Sequence, residues 1–267
     1  MTKRIKAFNR RELKFIIRTD QIRPFLDDVT PFLHQDAHTG QANYYRNNSL
    51  YYDTEDYQAY WQKLDGLKHR RKLRLRVYGD QLVQPDDDCF VEIKERIGAA
   101  VRKRRIVVPY KDARTLCATG QIDSGLINAG DKAVVAEIAH LVLLFRLRPA
   151  CLLRYDRVAF NGRPDYDPSL RITVDTNCRA RIHDIDFSAS TPEEMSFFLS
   201  PQLSILEVKA NDRVPYWLVQ ILHRHQFMLR KISKYCTALE NLKAELPHRR
   251  YSFPHAARSG QTMGRRV

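Results

Sequence analysis

Polar and apolar residues alternate in one segment of this chain after another. From Lys72 to Tyr78 the run K-L-R-L-R-V-Y sets Lys72, Arg74, Arg76 and Tyr78 on one face of a strand, with Leu73, Leu75 and Val77 on the other, because successive side chains of extended backbone point to opposite sides. The period returns in C-F-V-E-I-K-E-R, where Phe90, Glu92, Lys94 and Arg96 oppose Val91 and Ile93. R-R-E-L-K-F-I-I places Arg10, Glu12, Lys14 and Ile16 against Leu13, Phe15 and Ile17. L-R-I-T-V-D-T groups Arg171, Thr173 and Asp175, and L-S-I-L-E-V-K sets Glu207 and Lys209 against Leu206 and Val208. Residues 44–52, the basic run V-R-K-R-R-I-V-V-P after a turn at Gly98, and C-L-L-R-Y-D-R-V-A-F complete the predicted strands. In the last of these, Arg154 and Asp156 share one face, and Tyr155 and Arg157 the other.

Helical spacing fills the intervals. Thr19 or Asp20 caps a helix reaching about residue 32, with Pro24 in its first turn and Ile22, Phe25, Leu26 and Val29 on one side. Tyr57, Tyr60, Trp61 and Leu64 form the aromatic stripe of a short helix that Asp65-Gly66 ends. Further helices are predicted over residues 111–119 and 131–147, a short one opens at residues 191–194, and a long one runs over residues 215–242. Asn161-Gly162 begins a turn. The tail after Leu246 is rich in arginine and lacks acids, which predicts one domain over residues 1–246 and a disordered basic arm over residues 247–267.

Charge sharpens the picture. With 45 Lys and Arg against 31 Asp and Glu, the formal charge is +14, which favours polyanionic partners. An open sheet would turn its charged faces to water. That bland solution gives no reason for Glu12, Glu92 and Glu207 to share faces with Lys14, Lys94 and Lys209. A closed antiparallel barrel with charges inward and aliphatics outward beneath helices does, and its lumen suits a phosphate chain. Arginine and lysine neutralise phosphate oxygens, and a few carboxylates can hold a divalent metal.

Several chemistries drop out. The five cysteines stand singly, without C-x-x-C, and the nine histidines include no ligand motif. No P-loop or kinase glycine loop is present, so phosphate must be held by side chains. Residues 133–153, the most apolar run, are broken by Glu137, Arg146, Arg148 and Pro149, and the start M-T-K-R-I-K-A-F has no signal-peptide core. The expected location is cytoplasmic. Neither an RNA-binding aromatic motif nor a helix-turn-helix signature occurs, which disfavours nucleic acid as the main partner.

An ordered set of motifs resembles the VTC domain, the polyphosphate-polymerase branch of the triphosphate tunnel metalloenzymes. The pieces are R-R-E-L-K-F, S-L-Y-Y-D-T, Asp65-Gly66, K-L-R-L-R-V-Y, V-E-I-K-E-R, L-L-R-Y-D-R, L-R-I-T-V-D, I-L-E-V-K and R-K-I-S-K-Y, spread over about residues 8–242. The resemblance implies an α+β fold built on a closed, eight-stranded antiparallel β-barrel with flanking helices. It also implies transfer of the ATP γ-phosphate to growing polyphosphate with Mn2+ or Mg2+ bound. Carried over position by position, Lys14, Arg74, Arg76, Lys94, Arg154 and Arg171 line the tunnel, with Lys209 and Arg157 fitting less well. Lys231 and Lys234 match a terminal lysine pair on the closing helix, and Glu207 matches the metal ligand, with Glu12 and Glu92 as further carboxylates. Within the wider superfamily hydrolytic members begin E-x-E-x-K, whereas Arg10 stands at the first acid here. That exchange weakens triphosphatase and cyclase readings. Metal-dependent hydrolysis of tripolyphosphate or a nucleoside triphosphate, and simple polyanion binding, are the alternatives.

Overall fold

The computed structural model describes residues 10–37, 44–79, 82–98, 100–187 and 194–242, with Ala244 and Leu246. The predicted arm over residues 247–267 and most of the short helix predicted at residues 191–194 lie outside the described residues. In chain order the elements are β1 (Arg10–Arg18), α1 (Ile22–Val29), β2 (Leu33–Gln35), β3 (Tyr45–Asp53), α2 (Gln58–Leu64), β4 (His69–Tyr78), β5 (Asp88–Ile97), β6 (Ala100–Pro109), α3 (Tyr110–Thr119), α4 (Lys132–Phe145), β7 (Arg148–Gly162), β8 (Arg171–Arg181), β9 (Ser196–Phe197), β10 (Leu203–Asn211), α5 (Tyr216–Arg224) and α6 (Lys234–Asn241).

All strand pairs are antiparallel, in one sheet of order β1-β10-β8-β7-β3-β4-β5-β6, with β2 added beside β7 and β9 beside β8. This corrects the expected closed eight-stranded barrel: among the described residues the sheet has ten strands and does not close, since β1 and β6 are not paired. Backbone edges explain why. The outer edge of β1 is taken by the 229–230 segment, where Phe15 bridges Leu229 and Arg230 N donates to the Lys14 carbonyl at 2.8 Å. The opposite edge, β6, carries Arg102, Lys103, Arg104 and Arg105 in succession, and charged edges resist pairing. The sheet nevertheless curls until side chains from its two ends meet, with Lys94 of β5 3.7 Å from Glu12 of β1.

Aliphatic faces point outward beneath helices, as the alternation predicts. Leu73, Leu75, Val91, Ile93, Ile106 and Val108 pack with Leu116 of α3 and Ile138, Leu141 and Val142 of α4. Phe15, Ile17, Ile172, Val174, Leu206 and Val208 pack with Phe25 and Val29 of α1 and Leu218, Ile221 and Leu222 of α5. A third cluster lies on the concave side at one end, where Tyr235, Cys236, Ala238 and Leu239 of α6 bury Cys151, Leu153, Tyr155, Cys178 and Ile205. Each burial removes apolar surface from water, worth about 25 cal/mol per Å2.

The long helix expected over residues 215–242 is two helices. Gln226 adopts φ +55, and the chain leaves α5 so that Phe227 can pack on Phe15 and Phe25 at ring separations of 6.4 and 5.3 Å. Ser233 then restarts helix as the N-cap of α6, its Oγ accepting from the Cys236 amide. At Asn161-Gly162 the strand continues through Gly162 before turning. A Cβ there would lie 1.9 Å from the Asp167 carbonyl oxygen, so only glycine fits.

Candidate functional site

The concave face holds two charge centres. The first forms around Glu207 of β10. Its carboxylate meets Lys234 at 2.7 Å, Lys14 and Lys209 at 3.2 Å, and Arg157 at 3.8 Å. Register brings these together: Lys14 of β1 lies opposite Glu207, Glu207 opposite Thr173 of β8, and Asp175, two residues on, opposite Arg157 of β7. Arg157 grips Asp175 through two guanidinium nitrogens at 2.5 and 2.7 Å, and Lys234 adds a contact at 2.5 Å. Burial alone would raise the Glu207 pKa, but Lys234, Lys14, Lys209 and Arg157 outweigh it and hold the carboxyl well below its usual range. Burial dominates at Lys209, whose ammonium is pushed down to about 8 despite Glu207.

The second centre is Glu92 of β5. Arg74 of β4 donates to it through Nε at 2.7 Å and approaches through Nη2 at 2.6 Å, Arg76 lies 3.9 Å away, and Lys103 of β6 contacts its other oxygen. Arg74 also donates to the Tyr51 hydroxyl at 2.9 Å. Burial would raise that phenol, yet Arg74, Arg76 and Lys72 bring it down to about 8. Arg76 donates to Ser49 Oγ and Tyr155 Oη at 3.2 and 3.4 Å. Glu12 links the two ends of the sheet, 3.1 Å from Lys14 and 3.7 Å from Lys94. It is held at about 2, the penalty of burial being overcome by Lys14, Lys94 and Lys209.

Helix α6 packs into the concave side at one end. Tyr235 stacks on Tyr51 at 5.2 Å and donates to Asp53 Oδ2 at 2.6 Å, while Lys234, the first residue of α6, reaches Asp175 and Glu207. The result is a trough whose walls carry guanidinium and ammonium groups already positioned by carboxylates, the pattern that phosphate oxygens can enter by exchange. A family model, the VTC domain, matches residues 9–243. This chain belongs to the VTC domain family.

Two curated relatives are the vacuolar transporter chaperone complex subunit 4 proteins of Trypanosoma cruzi and Trypanosoma brucei brucei. Each is 23% identical to this VTC domain, over 285 and 289 residues, covering 91% of the chain. The chain spans 35% of the length of either relative. Among solved structures, a Hippeastrum protein with a dominant triphosphatase activity is 12% identical, covers 86% of this chain and 96% of that one, and superposes with a TM-score of 0.45. Among the described residues no helix is long and apolar enough to cross a membrane.

Of the residues singled out from sequence, Lys14, Arg74, Arg76, Lys94, Lys209, Lys234, Glu12, Glu92 and Glu207 converge on the concave face of this VTC domain. Arg171 lies towards the end away from α6, paired with Asp36 and donating to Asn161 Oδ1 at 3.0 Å. Arg154 does not join them. It shares the convex face with Arg46 and Asp156 and donates to Asn48 Oδ1 at 2.6 Å, whereas Tyr155 and Arg157 point inward. The register of β7 against β8 shifts between Arg154 and Asp156, beside Asn177 at φ +49, so the two strands' inward residues stay in phase past the bulge. Lys231 sits exposed in the connector before α6 rather than one turn from Lys234 on a common helix. Sequence reasoning missed Asp175, Tyr51 and Lys103 as members. The L-R-I-T-V-D alternation already set Asp175 beside Arg171 and Thr173, and was the available signal.

The metal implied by the resemblance needs oxygen donors. Among the described residues no three histidine, cysteine or carboxylate groups come together to hold one. Both Glu207 oxygens already face cations, Oε1 towards Lys14 and Lys234 and Oε2 towards Lys209 and Arg157. The residues described therefore do not build a metal site by themselves.

Proposed function

We propose that this VTC domain extends polyphosphate, taking the γ-phosphate of ATP. A terminal phosphate oxygen of the chain attacks the γ-phosphorus, the bond to the β,γ-bridging oxygen breaks, and ADP leaves with that electron pair. Such a transfer needs two polyanions held end to end with their charge neutralised, and no protein nucleophile. The observation that carries the reading is the convergence of Arg74, Arg76, Lys14, Lys209 and Lys234 on one trough, each already oriented by Glu92, Glu12 or Glu207. Family membership and the subunit 4 relatives support it.

One feature favours hydrolysis instead: among the described residues no backbone pairing joins β1 to β6, so on that side the trough is bounded by side chains rather than by a paired strand. Incubation of the purified chain with ATP and Mn2+ or Mg2+ separates the two by product size. Acid-insoluble chains support polymerisation, and orthophosphate alone supports hydrolysis. Arg74→Ala combined with Arg76→Ala should abolish either turnover; unchanged ATP consumption would remove the trough from the chemistry.

A further inference from the structure

Within the trough Lys14, Arg74, Lys94, Lys209 and Lys234 each have a counter-charge among Glu12, Glu92 and Glu207, but the basic ladder continues beyond Glu92. Along the inward face of β4 the sequence Arg76, Arg74, Lys72, Arg70 climbs towards the α6 end in steps of about 6.8 Å, two residues of extended chain each. Arg74 and Arg76 meet Glu92. Beyond them Lys72 stands directly opposite Lys94, and Arg70 directly opposite Arg96. Among the described residues Lys72 makes its side-chain contacts with Ser233 and α6, donating to Ser233 Oγ at 3.4 Å and Cys236 Sγ at 3.6 Å and lying 4.6 Å over the Tyr235 ring. Arg96 turns its Nε to the Gly98 carbonyl at 2.8 Å. Among the described residues none of Lys63, Arg70, Lys72 and Arg96 has a carboxylate within ion-pair distance.

Like charges directly opposed across a ladder are destabilising. The repulsion is visible in the proton affinities. Lys63 of α2 is lowered by burial and then by Arg70, Lys72 and Arg96, and Arg70 is lowered by burial and by Arg96. Four mutually repelling cations at the mouth of a phosphate trough, half-buried or exposed and so reachable, are relieved by an anion from outside. The nearby carboxylates are already committed: Glu12, Glu92 and Glu207 are engaged deeper in, and Asp53, although it feels Lys72, accepts from Tyr235 and from the Thr54 and Ala59 amides.

We infer that Lys63, Arg70, Lys72 and Arg96 form an outer subsite that holds the polyphosphate chain beyond the reacting phosphates, and so governs how long the product grows before release. This rests on the polymerase reading of the trough. A linear phosphate chain fits better than nucleic acid: the subsite continues the lumenal ladder without a break, and the exposed aromatic residues among those described, Tyr78, Tyr166, Phe197 and Tyr216, lie elsewhere and offer it no stacking platform.

The test compares the full chain with the variant Arg70→Gln plus Arg96→Gln, and with Lys63→Gln added. Binding of tripolyphosphate and of a polyphosphate some tens of units long is measured by calorimetry, and product length by gel. Tripolyphosphate affinity and initial ADP release should stay as in the parent, while long-chain affinity falls about tenfold, the loss expected for two or three solvent-facing ion contacts, and product chains shorten. Thermal unfolding should show no loss of stability, because the substitutions remove repulsion. Equal long-chain affinity and equal product length in parent and variant would overturn the inference. So would an RNA oligonucleotide of matched charge that binds as tightly as polyphosphate and loses as much in the variant. If the parent makes only orthophosphate, the polymerase reading fails, and the two-length binding comparison still decides whether the rim holds a phosphate chain.

Discussion

Glu207→Gln removes one charge from the most heavily paired point of the trough and leaves its shape. Around it four cations, Lys14, Lys209, Lys234 and Arg157, face three carboxylates, Glu207, Glu12 and Asp175. After the change four face two. Breaking a buried ion pair by losing one partner costs about 3–5 kcal/mol. The amide oxygen still accepts a hydrogen bond, so the lower end, about 3 kcal/mol, is expected, or a Tm lower by about 6–12 °C for a domain of this size. The stabilisation has a pH signature. Because the folded-state pKa of Glu207 is depressed, its contribution is complete above the unfolded value of about 4.3 and is lost as pH falls below that towards the folded value. The parent-minus-variant difference should therefore be full at pH 7 and shrink in acid. Tripolyphosphate supplies the missing negative charge, so the variant should bind it more tightly without metal and recover most of its Tm. Thermal unfolding in a chelator, with and without tripolyphosphate, reads both effects. A Tm change under about 2 °C, with turnover lost and a much higher metal requirement, would refute the ion-pair account and make Glu207 a metal ligand.

Two further outcomes follow from the same geometry. Tyr51, with its phenol at about 8 beside Arg74 and Arg76, becomes an anion as pH rises through that value; relative to Tyr51→Phe, the parent should bind tripolyphosphate equally at pH 7 and roughly tenfold more weakly at pH 9. Lys209 deprotonates over the same range in both proteins, so the ratio of the two affinities isolates Tyr51, and a ratio that does not change with pH would contradict its place in the trough. Arg157→Ala should weaken tripolyphosphate binding and also destabilise the fold by about 3 kcal/mol, the low end for a broken buried pair, because Asp175 keeps Lys234 as its remaining cation; Arg154→Ala, on the far face, should leave tripolyphosphate affinity within about twofold, and an equal loss in both by calorimetry would argue against their lying on opposite faces.

Alternation alone determined much of this protein. It separated Leu73, Leu75 and Val77 from Arg74 and Arg76, and Leu206 and Val208 from Glu207, because period-two backbone leaves each residue a single side. The apolar side then had to meet helices, which puts the charges within. The ordered motifs of the VTC domain were legible for a related reason, as most of them are these same alternating strands.

Three decisions belonged to the tertiary structure. On β7 both faces carry charge, so no local pattern tells Arg154 from Arg157; only the pairing of Arg157 with Asp175 on β8 and of Arg154 with Asn48 on β3 assigns one inward and one outward. The apolar period continues through residues 215–242, yet Phe227 gains more by packing on Phe15 and Phe25 than an unbroken helix would provide, which moves Lys231 off α6. Closure of the sheet depends on whether two edges far apart in sequence find each other. The outer edge of β1 is claimed by Leu229 and Arg230, and the edge of β6 away from β5 stays charged and unpaired among the described residues. Faces are properties of a strand, whereas phase, helix breaks and edges are settled by competition between distant segments for the same contacts.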